Sequence, residues 1–375
     1  MVRSVRIRNF KCVRDVTLPL GKLTVFIGRN DTGKSSILQA VFLLSRLCAA
    51  PTATDSREWD EIRRVVPQET GKQPRLSFEV EFTRPLGAAE ARSSAILTFD
   101  HVLSRATCHI EGIDPIIHDD DADSLAQHLV QKGAWDREAA ELRKCVLFQI
   151  DPRKLSEPST LGEEVPVPFL KYDGYGLASA LRELAVQDSQ AYADLKQELA
   201  RATDVVDIDF KRVQVWREAE AENERVVRVR KWADVLECTL KSGAVVQARD
   251  MSDGVLYYLA FLCVTFSRSA PRLLLIEEPE NGFHPMRLRE VVRLLRRCSE
   301  RFPETRILMT THSPYLLDQA KPEEVFAVLR DPQTGSSIHR VSEMPGLDEL
   351  MGPFSLGELW TNVGEDRIAR GDQDA

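Results

Sequence analysis

The chain has 375 residues, 43% apolar and 29% charged, enough for a soluble globular protein with a proper buried core. Its formal net charge of −8 and pI near 5.6 exclude a molecule that is basic throughout and holds nucleic acid by charge alone. No stretch approaches the ~20 apolar residues that span a bilayer, no apolar signal core follows the basic start MVRSVRIRNFKC, and the scattered cysteines form no Cys-x-x-Cys pair, which suits a reducing cytoplasm better than zinc or disulfides.

In chain order, residues 4 to 27 read as two strands, SVRIRNF by its alternation and KLTVFI as a short buried run. After a glycine turn, SSILQAVFLLSRL has helical spacing, and the polar, proline-flanked residues 51 to 74 read as a loop with one short helix. RLSFEVEFTR, SAILTFDHVL and TCHIEG predict an antiparallel sheet. The acid run HDDDAD precedes a helical SLAQHLVQKGA and reads as a solvated loop. CVLFQI predicts a strand stopped by Asp151-Pro152, and GLASALRELAVQDSQAYADLKQELARA a helical region. FKRVQVW, RVVRVRKW and DVLECTLKSGAVVQARD read as strands, the last a hairpin turning at Ser242-Gly243. Helix DGVLYYLAFLCVTFSR, strand LLLIEE, helix RLREVVRLLRRCSE and strand RILMTTH then resume an α/β alternation. There is no internal repeat and no heptad run long enough for an extended coiled coil.

Residues 28 to 35, Gly28-Arg29-Asn30-Asp31-Thr32-Gly33-Lys34-Ser35, fit G-x-x-x-x-G-K-[ST] between an apolar strand and an apolar helix. In such a turn the glycines let backbone N–H groups, those of Arg29 to Ser36 here, converge on phosphate oxygens at a helix N-terminus. Lys34 would reach the β- and γ-phosphates and Ser35 would ligate magnesium. Far downstream, LLLIEEPENGFHP ends a core strand on Glu277 and Glu278. Unpartnered carboxylates there would cost several kcal/mol, roughly. Magnesium supplies a reason: it takes oxygen ligands and keeps several waters, one of which Glu277 would hold. Glu278, pointing differently, would orient or deprotonate the water attacking the γ-phosphate.

These motifs together resemble an ABC-class ATPase. Met251-Ser252-Asp253-Gly254 resembles the Leu-Ser-x-Gly signature at the head of a helix, with methionine for leucine. By that resemblance, Ser252 and Gly254 would face the γ-phosphate held by a second subunit; read alone, a Ser-Asp helix cap is the rival reading of Ser252. His312 resembles the family's switch histidine. Gln149 is either the glutamine that reaches the magnesium or a plain polar strand end. Within the class, IEEPENGFHP, THSPYLLD, IRNFKCVRDVTLPLGKLTVFIGRNDTGKSS, LKYDGYGLASAL and FSLGELW resemble the branch of RecF-like and overcoming-lysogenization-defect ATPases, several of which serve in phage defence. After the last motif only about 57 residues remain, too few for a fused toprim nuclease by ordinary domain size. A nuclease, if one acts, is expected as a separate chain.

The expected fold is α/β, a P-loop NTPase of ABC type: a mixed central sheet flanked by helices, with an antiparallel β subdomain and a helical lobe. The core is expected in 1–50 and 250–345, the inserted subdomain and lobe in 51–249, and a tail in 346–375. The resemblance implies ATP and Mg2+ as ligands, a cytoplasmic homodimer sandwiching ATP, and a separate nuclease or effector partner, with no membrane role. The rival function is a nucleotide-gated scaffold that turns over little and restrains a toxin. DNA is a further candidate partner, on two basic segments. RLREVVRLLRRCSERF places Arg287, Arg289, Arg293, Arg296, Arg297 and Arg301 around an apolar stripe and reads first as a solvated face. RVVRVRK supplies Arg225, Arg228, Arg230 and Lys231, with Trp216 and Trp232 as sparse aromatic company.

Overall fold

The computed structural model describes residues 2–48, 64–67, 74–86, 89–100, 105–110, 116–119, 141–160, 170–171, 173–220, 226–267 and 271–364. It divides into two compact units, one of residues 1–147, 271–278 and 304–375, the other of 148–270 and 279–303.

The first unit carries an antiparallel sheet in the order β2-β1-β4-β5-β6-β7. Its strands are β1 (Val2–Phe10), β2 (Val13–Pro19), β4 (Leu76–Leu86), β5 (Ala89–Asp100), β6 (Arg105–Ile110) and β7 (Ile116–Asp119). Alternation decides its faces: Val5, Ile7, Phe78, Val80 and Leu97 are fully buried, while Arg6 and Arg8 of β1 point away to Asp15 and Glu79. A second sheet runs β16-β15-β3-β14-β13-β8, from β3 (Leu23–Ile27), β8 (Cys145–Phe148), β13 (Leu273–Ile276), β14 (Arg306–Thr311), β15 (Val325–Asp331) and β16 (Gly335–Arg340). β13, β14, β3 and β15 are parallel, and β16 closes the edge antiparallel to β15. LTVFI, LLLI and RILMTT are buried at every position, as strands covered on both faces must be. Helix α1 (Lys34–Cys48) lays Ile37, Leu38, Val41 and Leu44 into the core shared with β1, β3, β4 and β13.

The second unit contains α2 (Pro152–Ser156), the short strand β9 (Ser159–Thr160), α3 (Leu177–Gln187), α4 (Ser189–Ala202), a long hairpin of β10 (Val205–Glu220) and β11 (Val226–Leu240), then β12 (Val245–Gln247), α5 (Asp253–Phe266) and α6 (Pro285–Arg301). α5 is buried from Leu256 to Phe266; α6 buries Leu288, Val291, Val292, Leu295 and Cys298. The helical stretch read from the sequence is two helices, because Asp188 leaves helical geometry and its carboxylate accepts from Ala191 N at 3.0 Å, capping α4. FKRVQVW, RVVRVRKW and DVLECTL are parts of two strands rather than three, since β11 continues in unbroken register past Trp232 to Thr239. The turn at Ser242-Gly243 is as expected, with Gly243 at φ +83°.

α6 is also pinned more firmly than a solvated face would be. Arg293 and Arg297 reach the buried carboxylate of Glu198 on α4, at 2.7 and 3.4 Å. The remaining elements lie in the first unit: α7 (Pro314–Leu317), α8 (Leu347–Met351) and α9 (Leu356–Val363). Residues 120–123 of the acid run, the helix expected after it, most of 51–74, and Arg225 lie outside the described residues.

Candidate nucleotide site

Everything in the phosphate-loop reading lies at the C-terminal ends of β3, β13, β14 and β15, where an open parallel sheet places its ligands. β3 runs out at Ile27 and α1 begins at Lys34. Between them Asp31 sits at φ +65° and Gly33 at φ +107°. A side chain on Gly28 would strike Val328 O and approach Thr32 Oγ1 to 2.9 Å; one on Gly33 would strike Ser336 Oγ and lie 2.9 Å from Cys12 Sγ. Close backbone approach therefore requires both glycines. The loop is tied from outside by Ser336 Oγ, which donates to Thr32 O at 2.7 Å, and by Arg330 Nη1, which donates to Asp31 O at 3.0 Å. Within it, buried Lys34 donates from Nζ to Gly28 O and Arg29 O, both at 2.7 Å. The ammonium is thus fixed at the mouth of the loop.

A cavity of about 440 Å3 opens there, lined by Asn30, Asp31, Gly33, Lys34, Ser35 and Ser36 with Glu278, His312, Cys12 and Arg330. That volume is within the ~300–1,000 Å3 usual for small-molecule sites. Two segments more than 240 residues apart in sequence are therefore in one cavity. Glu278 takes φ +43°, a left-handed conformation that costs an ordinary side chain about 1–3 kcal/mol and collects at functional sites. It is held there by its own N–H, which donates to Thr310 Oγ1 at 3.2 Å, and by His312, whose Nε2 lies 2.9 Å from Oε1. The carboxylate can only accept, so Nε2 carries the proton in this contact.

Glu277, directly after β13, is half-buried. It is not among the cavity-lining residues, and its Oε2 is buried without a hydrogen-bond partner. A buried carboxylate oxygen left unpaired is what a bound cation would satisfy. No group of three or more His, Cys, Asp or Glu side chains that could hold a metal occurs among the described residues. The donors on offer, Ser35 and Glu277, are the few oxygens magnesium needs when substrate phosphates supply the rest. The residues present fit that ion.

Gln149, Ser252 and Gly254 belong to the second unit. Gln149 is exposed and directly follows β8; Ser252 is exposed and caps α5 with no side-chain bond of its own to the helix. Gly254 has only Gly282 O near the position of a side chain, at 3.4 Å. Sequence reasoning missed Cys12 and Arg330. Cys12 lies in the opening stretch IRNFKCVRD but with no role marked there, and Arg330 lies outside the quoted stretches; the packing of the β1–β2 turn and the end of β15 against the loop brings them in, and Ser336 N donates to Cys12 O at 2.9 Å.

A phosphate loop after the first parallel strand, an acidic pair after a second and a histidine after a third define a P-loop ATPase domain of the ABC type. Residues 173–318 match the family described as AAA domain, putative AbiEii toxin, Type IV TA system, and residues 1–66 match the AAA ATPase domain family. Both segments are therefore similar to AAA-type ATPase domains. A 44-residue segment, 12% of the chain, is 43% identical to an OLD nuclease of Thermus scotoductus and spans 8% of that protein's length. The fold is that of SMC heads. An SMC head bound to the C-terminal winged-helix domain of ScpA has a TM-score of 0.56 at 14% identity, over 90% of this chain and 96% of that one. The Smc head with an extended coiled coil from Pyrococcus furiosus, bound to the C-terminal domain of ScpA, gives 0.55 at 13%, over 93% and 99%. Among the described residues no helix is long and apolar enough to cross a membrane.

Proposed function

We propose that this chain binds ATP with magnesium at the 28–36 loop and hydrolyses it to ADP and phosphate. The observation that carries the proposal is the single cavity holding Lys34, Ser35, Glu278 and His312. Lys34 would neutralise the β- and γ-phosphates, exchanging its loop carbonyls for phosphate oxygens. Ser35 and Glu277 would hold magnesium, which would supply charge neutralisation when bound. Glu278 accepts a proton from the attacking water as its oxygen bonds to the γ-phosphorus and the bond to the β-phosphate oxygen breaks. His312 fixes that carboxylate and stands beside the phosphate that leaves.

Two copies would close head to tail on ATP, Ser252 and Gly254 of one facing the γ-phosphate of the other, with Gln149 as a further magnesium contact. Ser252 is exposed and its side chain makes no cap bond to its own helix, which leaves the hydroxyl for that role. The cellular role in this reading is the cytoplasmic ATPase of a DNA-repair or anti-phage system, working with a separate nuclease or effector. A scaffold that restrains a toxin and turns over little is the second reading, favoured by the toxin–antitoxin description attached to residues 173–318.

Sedimentation with ATP and magnesium, alongside phosphate release, separates these. Closure predicts a monomer-to-dimer shift that needs ATP and that Ser252→Arg abolishes. A dimer indifferent to nucleotide, with no phosphate released, supports the scaffold.

A further inference from the structure

The β10–β11 hairpin presents an outward face that the nucleotide chemistry does not use. Register pairs Glu218 with Arg228, Trp216 with Arg230, and Gln214 with Trp232. Directly paired residues share a face, so these six form one surface. All six are exposed, whereas Val213, Val215, Arg217, Val229 and Lys231 on the reverse face are partly covered. Trp216 and Trp232 leave 61% and 52% of their surface in solvent, unusual for the largest apolar side chain. They are diagonal neighbours on the ladder, a separation of about 7–8 Å. Arg230 lies over the Trp216 ring, 4.8 Å from its centroid.

The charge of this face opposes that of the chain. Among the described side chains of this face, Arg212, Arg228 and Arg230 stand against Glu218 and the buried Asp234, in a molecule of net charge −8. Their ion pairs leave most of that charge available. Arg228 meets Glu218 at 4.0 Å with both side chains more than two-thirds exposed, a pair of little strength. Arg212 meets Asp234 at 3.5 Å, but Asp234 is already engaged by Arg182 at 2.5 Å.

We propose that this face binds single-stranded nucleic acid, with bases stacking on Trp216 and Trp232 and the backbone following Arg212, Arg228 and Arg230. Flat π-surfaces flanked by guanidinium groups are the general means of holding unpaired bases without reading sequence. The diagonal spacing is about two base-stacking steps of 3.4 Å, room for one base between neighbouring rings. A protein partner would have to bury three guanidiniums and supply matching acids. A single strand brings both the charge and the flat faces. The inference stands on the hairpin alone and does not depend on ATP turnover.

The test is fluorescence anisotropy of a labelled oligothymidylate of about 16 nucleotides, titrated with the full chain without nucleotide. Trp216→Ala and Trp232→Ala should each weaken binding about 5- to 100-fold, by the usual loss of one stacked base. Trp216→Phe should recover part of the loss, which a folding defect would not allow. Arg230→Ala should reduce the slope of log affinity against log salt by about 0.7. The proposal is overturned if the oligonucleotide does not bind, if both Trp→Ala variants bind it as the parent does, or if a duplex of equal length binds as tightly. Self-association of the chain that both variants abolish, with no oligonucleotide binding, would assign the face to a protein contact instead.

Discussion

His312 Nε2 stands 2.9 Å from Glu278 Oε1, across the end of two parallel strands whose sequences are more than 30 residues apart. In the proposed mechanism this contact makes the acid and the histidine one unit rather than two separate site residues. Its consequence is kinetic. His312→Ala should reduce kcat by about 10²–10⁴-fold, the usual range for a disturbed general base, while ATP still binds. Combining it with Glu278→Gln should add little further loss, because residues acting as one unit are not additive. Steady-state phosphate release for the two single variants and the double variant measures this directly.

Cys12 offers a probe that needs no turnover. Its side chain is half-buried and lines the nucleotide cavity. Burial pushes the Cys238 and Cys263 thiols up to about 12 and the Cys298 thiol to about 11. At neutral pH those three are almost wholly protonated, and the thiolate is the reactive form. An alkylating reagent near pH 7.5 should therefore mark Cys12 ahead of them, and saturating ATP with magnesium should slow that labelling. Peptide mass spectrometry gives the rates. Labelling of Cys12 indifferent to nucleotide would place the triphosphate elsewhere.

Much of this arrangement can be read in the sequence, and the reason differs by part. The strands LTVFI, LLLI and RILMTT are continuous apolar runs because both their faces are covered, and a polar turn must follow each. The loop glycines are demanded locally, by positive φ and by backbone approach. Glu278 and His312 could be named singly for the same reason, but their pairing depends on strand order, which periodicity does not encode. Cys12 and Arg330 are invisible in sequence since their role arises from how a turn at one sheet edge meets the loop. The alternation divides the long hairpin at Ala233-Asp234, both buried, where Asp234 meets Arg182 and Arg212, so the strand continues where its pattern breaks.

Glu198 tests the packing of the second unit. It is only 5% exposed and accepts from Arg293, with Arg297 and Arg201 at 3.4 and 3.5 Å. Glu198→Gln removes the charge and keeps the shape. A lost hydrogen bond to a charged group costs about 1.5–3 kcal/mol, here at the low end because the arginines are half exposed and screened by water. The denaturation midpoint should fall accordingly. An unchanged midpoint would return α6 to a merely solvated face.

Asp15 sets an acid limit on the first unit. The hydrogen-bonded Arg6 guanidinium, at 2.6 and 2.7 Å, holds its carboxyl below the ordinary value near 3.8, against a smaller opposing effect of burial. A carboxyl depressed in the folded state contributes stability above its unfolded pKa and loses it as pH falls through the folded one. Asp15→Asn should therefore be less stable than the parent at pH 7, and the difference should vanish in strong acid. Denaturation of both proteins between neutral pH and about pH 2 checks the sign.

Mant-ATP binding and phosphate release measured together on the parent, Lys34→Ala and Glu278→Gln test the central claim most directly, that one cavity holds a triphosphate between the loop and Glu278. The account predicts that the parent binds and hydrolyses, that Lys34→Ala loses binding, and that Glu278→Gln binds as the parent does while releasing phosphate at least about 10²-fold more slowly. Undiminished binding by Lys34→Ala, or undiminished phosphate release by Glu278→Gln, would contradict it.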